Sequence, residues 1–205
     1  MDPEIAAATR EVAHLLAGLG HDVEQRAPVL AADPAAVMTT IVGANTALNL
    51  RVAKQRFGRA MTDSDFETLT LATAHNGEKA TAADYVAAQL AAFQISRGLA
   101  TFFGTCDVFL CPTLCLPPLH IGEIDTMSQD LSPIARILRR YIPATSMFNM
   151  SGQPAMSVPL AWNAAGLPLG MMFAARFGDE ATLFRLAAQL EQARPWKDKF
   201  PPVCA

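Results

Sequence analysis

The segment YIPATSMFNMSGQPAMSVPLAWNAAGLPLGMMFAARF, which runs from Tyr141 to Phe177, decides the fold. Two short apolar parts of it, Ala155–Trp162 and Pro168–Ala175, predict two β-strands. The residues between them, Asn163 to Gly166, have the composition of a turn, so the simplest pairing is an antiparallel hairpin. Gly152 interrupts the helix that we predict just before the first strand.

A third strand is predicted upstream of this segment, at Asp107–Thr113. The run is apolar, does not alternate and ends near Pro112, a pattern that is typical of a strand covered on both faces. If this strand lies beside the hairpin, the sheet is mixed. Farther along the chain, Gly122 to Pro133 has the composition of a loop or lid, and Arg136 to Tyr141 predicts a short helical piece.

Helical spacing of apolar residues and good N-cap residues predict the remaining helices. His21–Arg26, directly after the first of them, predicts a short edge strand. Together with the buried strands, these helices indicate an α/β fold, with a mixed β-sheet flanked by helices. Three of the five helices run from Asp2 to about Gly20, from Asp33 to about Phe57 and from Asp179 to Pro195. The other two begin at capping boxes: one runs from Thr62–Asp65 to about His75 and is closed by Asn76-Gly77, and the other runs from Thr81–Asp84 to about Phe103.

The composition limits the classes of function. Of the 205 residues, 51% are hydrophobic and 17% are charged, with a net charge of −3. Lysine and arginine are scattered, so we expect no nucleic-acid binding. No apolar run reaches the roughly 18 residues of a membrane-spanning helix, and the N-terminus lacks the pattern of a signal peptide, so we expect no membrane contact and a cytoplasmic protein. The apolar composition predicts either a large core or an apolar surface that meets a partner.

The cysteines favour a structural role. Cys106, Cys111 and Cys115 share one apolar segment, Cys204 lies near the end, and none belongs to a Cys-x-x-Cys pair. We therefore expect buried free thiols, no metal site and no cofactor. Cys111 lies on the predicted buried strand, where we expect its pKa to be raised and its thiol to be inert.

The histidines give little support for catalysis by this chain. His14, His21, His75 and His120 are the candidates for a general base, but neither a Gly-x-Ser-x-Gly elbow nor a His-Glu-x-x-His helix is present. His120, in the loop after Pro117-Pro118, resembles a site residue most, and a solvated loop histidine is the alternative. We expect no independent catalysis.

The stretch Phe148–Glu191 resembles the C-terminal end of the amidase signature family. It carries, in order, an aromatic-Asn pair, Gly-x-Pro-Ala, Ser-x-Pro, a Gly-Leu-Pro-x-Gly turn and a Leu-rich helix. Asp107–Thr113 resembles the upstream strand that members end with Pro-Thr, and Leu15–Glu24 and Thr81–Tyr85 are similar to other family segments. Within the family, we expect the subgroup that includes 6-aminohexanoate-cyclic-dimer hydrolases.

The resemblance implies a partial enzyme. Family members hydrolyse amides with a Ser–Ser–Lys triad, in which a cis peptide holds the bridging serine, and the triad lies in a Gly/Ser-rich segment and at an upstream lysine. Nothing in this sequence matches those motifs, so no catalytic residue is carried over. We expect residues 1–205 to form a single partial domain, the C-terminal part of an amidase domain. It would have a helical segment at about 1–104, a sheet-forming segment at about 105–194 and an irregular tail at 195–205. The alternative is a stand-alone, non-catalytic binding or interaction module with the same fold.

This part of an amidase would contribute a pocket wall. Ligand sites in α/β proteins lie beyond the carboxyl ends of strands, which selects Thr113 together with Met147, Phe148 and Asn149. The resemblance places the acyl side of the substrate near them. The alternative is that Met147 and Phe148 are core and that Asn149 ties down a loop. The expected partners are a small-molecule amide substrate, if an N-terminal half completes the enzyme, and either a second copy or that missing catalytic half.

Overall fold

A computed structural model describes residues 1–57, 61–142 and 144–201. Helices and one sheet make up this part of the chain, which confirms the α/β class predicted from the sequence. The elements, in chain order within each type, are α1 (Pro3–Gly18), α2 (Pro34–Arg56), α3 (Thr68–Lys79), α4 (Ala82–Phe103), α5 (Ser132–Tyr141), α6 (Thr145–Ser151) and α7 (Glu180–Ala193), with the strands β1 (Val108–Pro112), β2 (Ala155–Trp162) and β3 (Pro168–Ala175).

The fold divides into two compact units. The sheet unit comprises Met1–Pro28, Ala100–Pro118 and Gly152–Ala205, and it contains the strands together with α1 and α7. The helical unit comprises Val29–Leu99 and Leu119–Ser151. Each unit joins segments that are far apart in sequence. That residues 1–205 form a single partial domain stays a prediction.

The sheet of the sheet unit has the strand order β1-β3-β2, and both neighbouring pairs are antiparallel. The expected mixed sheet is therefore wrong for the described strands. β1 and β2 do run in the same direction, but β3 lies between them, so they do not pair. The expectation that β1 is covered on both faces is also wrong: Val108 to Cys111 are half-buried, because β1 is an edge strand.

The hairpin of β2 and β3 has the bounds predicted from the sequence. Asn163 and Leu167 close its turn through backbone and side-chain hydrogen bonds, and Gly166 takes a φ of 78° that favours glycine. Alternation along the strands directs Val158, Leu160, Met171 and Phe173 to one face of the sheet. The helices α1 and α7 pack on that face, and the resulting core includes Val12, Leu16, Leu183, Leu186 and Leu190.

The helical unit is built around the crossing of α2 and α3. Gly43 and Gly77 meet there, and both are buried. The prediction that Asn76-Gly77 ends the third helix is wrong, because α3 continues through Gly77 to Lys79. The capping box at Thr62–Asp65 forms as predicted, but it caps a short 3-10 turn, and α3 begins later. Gly77 therefore allows α3 to pack closely against α2, and it does not end the helix.

Two further expectations need correction. His21–Arg26 is not a strand: its residues are exposed, and Val23 is the one apolar side chain, so a strand there would bury little surface to offset its ordering. The helix predicted from Arg136 begins earlier, at Ser132, where the Asp130 carboxylate accepts a hydrogen bond from the Ser132 N–H at 2.9 Å. None of the described helices has the length and apolar content that crossing a bilayer requires.

Candidate functional site

The four predicted pocket residues fall in different units. Thr113 follows β1 directly in the sheet unit, whereas Met147, Phe148 and Asn149 lie on α6 in the helical unit. Met147 and Phe148 are 7% and 4% exposed, so they belong to the buried apolar residues, and Asn149 is exposed. This burial favours the core interpretation of the two apolar side chains. That the four residues line one pocket stays a prediction.

Thr113 is held firmly at the end of β1. Its backbone N–H donates to the Gly170 carbonyl oxygen at 2.9 Å, which continues the ladder between β1 and β3 by one residue. Its hydroxyl lies 2.5 Å from the hydroxyl of Ser157 on β2, and either oxygen can be the donor. A threonine of β1 and a serine of β2 therefore meet across the intervening strand β3.

Gly170 makes this meeting possible. It lies on β3 between the two hydroxyl-bearing residues, and a Cβ there would come within 2.7 Å of Ser157 Oγ and 3.0 Å of Thr113 Oγ1. Any larger residue would push the hydroxyl pair apart. Sequence reasoning missed Ser157, because it considered only whether that serine lies in a Gly/Ser-rich loop. The Gly-Leu-Pro-x-Gly motif ends at Gly170 and could have drawn attention to this position. The role of Gly170 between the two hydroxyl groups becomes visible only once the strand order is known.

The hydroxyl pair can bind a polar group but cannot act as a nucleophile by itself. Each hydroxyl has one hydrogen to donate and two lone pairs, and the bond between them uses one hydrogen. One hydrogen and several lone pairs remain for further hydrogen bonds. Ser157 is exposed at the surface, so a ligand can reach it. An attacking serine needs an adjacent base, and neither Thr113 nor Gly170 is one. The pair therefore suits recognition of an amide or carboxyl group.

The thiols are poor nucleophiles at neutral pH. Burial raises the pKa of Cys111 to about 12, and burial is also the main cause of the raised pKa values of Cys106 and Cys115. Cys115 is buried, and the other two are half-buried. Because the thiolate is the reactive form, these side chains stay unreactive, as expected for Cys111. Cys204 lies outside the described residues.

The histidines and lysines have contacts typical of a protein surface. His21 Nε2 lies 2.7 Å from Gln189 Oε1, and His14, His75 and His120 are exposed. Lys54 Nζ lies 3.9 Å from Asp63, and Lys199 Nζ lies 5.3 Å from the centroid of the Trp162 ring. Within 1–57, 61–142 and 144–201, no three His, Cys, Asp or Glu side chains are grouped so as to hold a metal ion.

An open cleft of about 490 Å³ lies between α1 and the hairpin in the sheet unit. Two of the three charged side chains that line it, Glu4 and Arg194, already have structural partners. Glu4 accepts a hydrogen bond from the Ala164 N–H at 2.8 Å, and Arg194 donates to the Leu160 carbonyl oxygen at 2.8 Å. These bonds tie the first and last helices to the hairpin, so the cleft is a less promising site than the exposed hydroxyl pair.

Known proteins match this chain over nearly its whole length. The model of the family described as Amidase matches residues 1–184. The putative amidase AmiC of Mycobacterium leprae is 34% identical over 195 residues, which is 95% of this chain and 41% of that protein. The 6-aminohexanoate-cyclic-dimer hydrolase of Paenarthrobacter ureafaciens is 30% identical over 215 residues, which is 99% of this chain and 43% of that protein.

Solved structures give the same result. The structure of 6-aminohexanoate cyclic dimer hydrolase complexed with substrate superposes with a TM-score of 0.86 at 28% sequence identity, over 98% of this chain and 44% of that one. A bacterial aryl acylamidase of the amidase signature family shares the fold, with a TM-score of 0.83 at 19% identity. The chain spans about two-fifths of the length of the curated relatives that it matches. The order of motifs, the fold and the family match agree, and the chain belongs to the amidase family.

Proposed function

We propose that this chain is the C-terminal part of an amidase-type hydrolase that acts on carboxamide C–N bonds by Ser–Ser–Lys acyl transfer, with the triad on residues outside this chain. One observation carries the proposal: a match to the amidase family over residues 1–184 in a chain that spans about 41% of its relatives. The absence of the family's Gly/Ser-rich motif from the sequence supports it. Among the described residues, burial raises the pKa values of Cys106, Cys111 and Cys115, so these three thiols are poor nucleophiles, which supports it further.

The residues of this chain would bind and orient the substrate. In acyl transfer, the triad serine forms a bond to the carbonyl carbon and the C–N bond breaks, with a proton passing to the departing amine. Water then hydrolyses the acyl ester and releases the acid and the serine. The Thr113–Ser157 pair of the sheet unit would hydrogen-bond a polar group of the substrate. Asn149, exposed on α6 of the helical unit, is a separate candidate for substrate contact. Neither role requires a charged side chain.

Reconstitution of the enzyme tests the proposal. The part of M. leprae AmiC that precedes the matched region is coexpressed with this chain, and a panel of small carboxamides is assayed, with the cyclic dimer of 6-aminohexanoate among them. We expect no hydrolysis by this chain alone and hydrolysis by the pair. Turnover by the chain alone that disappears in Ser157→Ala would place the nucleophile here and contradict the proposal. A soluble, inactive pair would favour the binding module.

A further inference from the structure

The outward side of α5 carries a cluster of positive charge. Arg136, Arg139 and Arg140 are spaced at i, i+3 and i+4, which puts them on one side of the helix, and all three are exposed. The helix, SPIARILRRY, contains no acidic residue. On its opposite side, Ile134 is 3% exposed and anchors α5 in the helical unit. We call the three residues the arginine cluster.

The arginine cluster lacks the partners that other arginines of the chain have. Arg176 pairs with Asp107, and Arg194 donates to a backbone carbonyl oxygen. No side chain of the cluster makes an ion pair or a hydrogen bond within 1–57, 61–142 and 144–201. The carboxylate of Asp130 is occupied by Ser132, whose hydrogen bonds are the main cause of its lowered pKa, and the charge of Arg136 contributes least. The positive charge of the cluster is therefore not neutralised within the described chain.

Stabilisation of the helix end accounts for part of the cluster only. Arg139 and Arg140 lie in the last turn of α5, where the helix dipole favours cations. Arg136 lies one turn earlier, and like charges at i, i+3 and i, i+4 repel each other. A bound anion would remove this repulsion.

A surface hollow offers space for such an anion. It has a volume of about 330 Å³ and is lined by the arginine cluster together with Ser132 and Ala135. Side chains of a helix lean toward its N-terminus, so the guanidinium groups are directed over the first half of α5. The small side chains of Ser132 and Ala135 leave room there. The hollow thus lies where three guanidinium groups can converge on one ligand.

We propose that the arginine cluster binds a phosphate group. A guanidinium presents its N–H donors in a planar fork that matches two phosphate oxygens. A phosphate monoester carries a charge of about −1.5 to −2 at neutral pH and has three terminal oxygens, so it can accept from each of the three arginines. A carboxylate has a single charge and two oxygens, and it would leave one arginine without a partner. Inorganic phosphate, a soluble phosphate monoester and a lipid headgroup share the required chemistry.

The test is a calorimetric titration of the full chain with inorganic phosphate and with phenyl phosphate at constant ionic strength, and acetate serves as the carboxylate probe. We expect a single site per chain for the phosphate probes and no binding of acetate. Arg136→Gln and Arg140→Gln should each lower the affinity about threefold to fivefold, as expected for exposed ion pairs, and the triple variant with Arg139→Gln should lose it.

Arg56→Gln is the matched control. Arg56 is an exposed arginine in the last turn of α2, in the same unit, so its loss removes a similar charge without touching the hollow. We expect this variant to bind phosphate like wild type. Circular dichroism during urea denaturation should give every variant the wild-type midpoint, because each change is at an exposed position.

Vesicles distinguish the sources of the phosphate group. Phosphatidylcholine vesicles with and without phosphatidic acid are sedimented with wild type and with the triple variant. Cosedimentation that requires both phosphatidic acid and the arginines supports the proposal with a lipid headgroup as ligand. Titration of the soluble probes without cosedimentation supports it with a soluble phosphate. Binding of acetate as tight as that of phosphate, unchanged affinity in the triple variant, an equal loss in Arg56→Gln, or no binding of any phosphate probe would each overturn it.

Discussion

A methyl group added at Gly77 tests how closely α2 and α3 pack. A Cβ at this position would overlap the carbonyl group of Gly43 and come within 2.6 Å of the Ala44 nitrogen. These are backbone atoms of α2, so no side chain can turn away, and the two helices must separate. In a helix interior, alanine is favoured over glycine by about 1 kcal/mol, while overpacking costs up to about 3 kcal/mol. We therefore expect Gly77→Ala to lower the free energy of unfolding by about 2 kcal/mol.

The assay is urea denaturation followed by far-ultraviolet circular dichroism. Gly18→Ala is the matched control, because a Cβ there meets no atom within 4 Å, and we expect it to leave the stability unchanged or raise it by up to about 1 kcal/mol. Gly43→Ala is intermediate, since its Cβ would lie 3.1 Å from Gly77 Cα. If Gly77→Ala is as stable as Gly18→Ala, the close crossing of α2 and α3 is refuted.

Three further predictions concern the sheet unit. Ser157→Ala removes the hydrogen bond to Thr113 and should lower the free energy of unfolding by about 0.5–1 kcal/mol in urea denaturation; an unchanged midpoint would contradict a formed hydroxyl pair. Asp179→Ala removes the acceptor for the Thr182 N–H at the start of α7 and should cost about 0.5–2 kcal/mol in thermal denaturation, whereas Asp179→Asn should restore most of it. Burial raises the pKa of Cys111 from about 9 to about 12, so the folded state keeps its proton while the unfolded chain loses it, and stability should fall as pH rises from 9 to 12. Cys111→Ala should weaken that decline, and an identical pH profile would show that Cys111 does not cause it.

The elements predicted best are those fixed by local chemistry. The hairpin strands have the predicted bounds, because two apolar runs flank a turn that contains a glycine. The first, second and last helices begin after Asp2, Asp33 and Asp179, and each carboxylate accepts a hydrogen bond from a backbone N–H in the first turn. A cap and its helix lie within a few residues of each other, so the sequence alone is sufficient to locate them.

The features that sequence reasoning missed depend on distant parts of the chain. An Asn-Gly pair is a common helix ending, and only the approach of Gly43, 34 residues earlier, explains why Gly77 lies inside α3. The pairing of the strands required their order: with β3 in the middle, a predicted mixed sheet became antiparallel. Ser157 gained a role only from the register that brings Thr113 beside it.

The chemistry of the hydroxyl pair explains why the proposed function assigns it to binding. A serine becomes a nucleophile when a neighbour removes its proton, and in the proposed function that base belongs to a Ser–Ser–Lys triad outside this chain. Ser157 instead contacts Thr113, whose hydroxyl is as weakly acidic as its own, so proton transfer between them creates no reactive oxygen. A neutral pair of donors and acceptors nevertheless matches a neutral carboxamide, which has one acceptor oxygen and N–H donors. If the pair binds substrate in a reconstituted enzyme, Ser157→Ala should raise KM more than it lowers kcat, because the lost contact is made in both the ground state and the transition state. A loss confined to kcat would instead assign Ser157 to the chemical step.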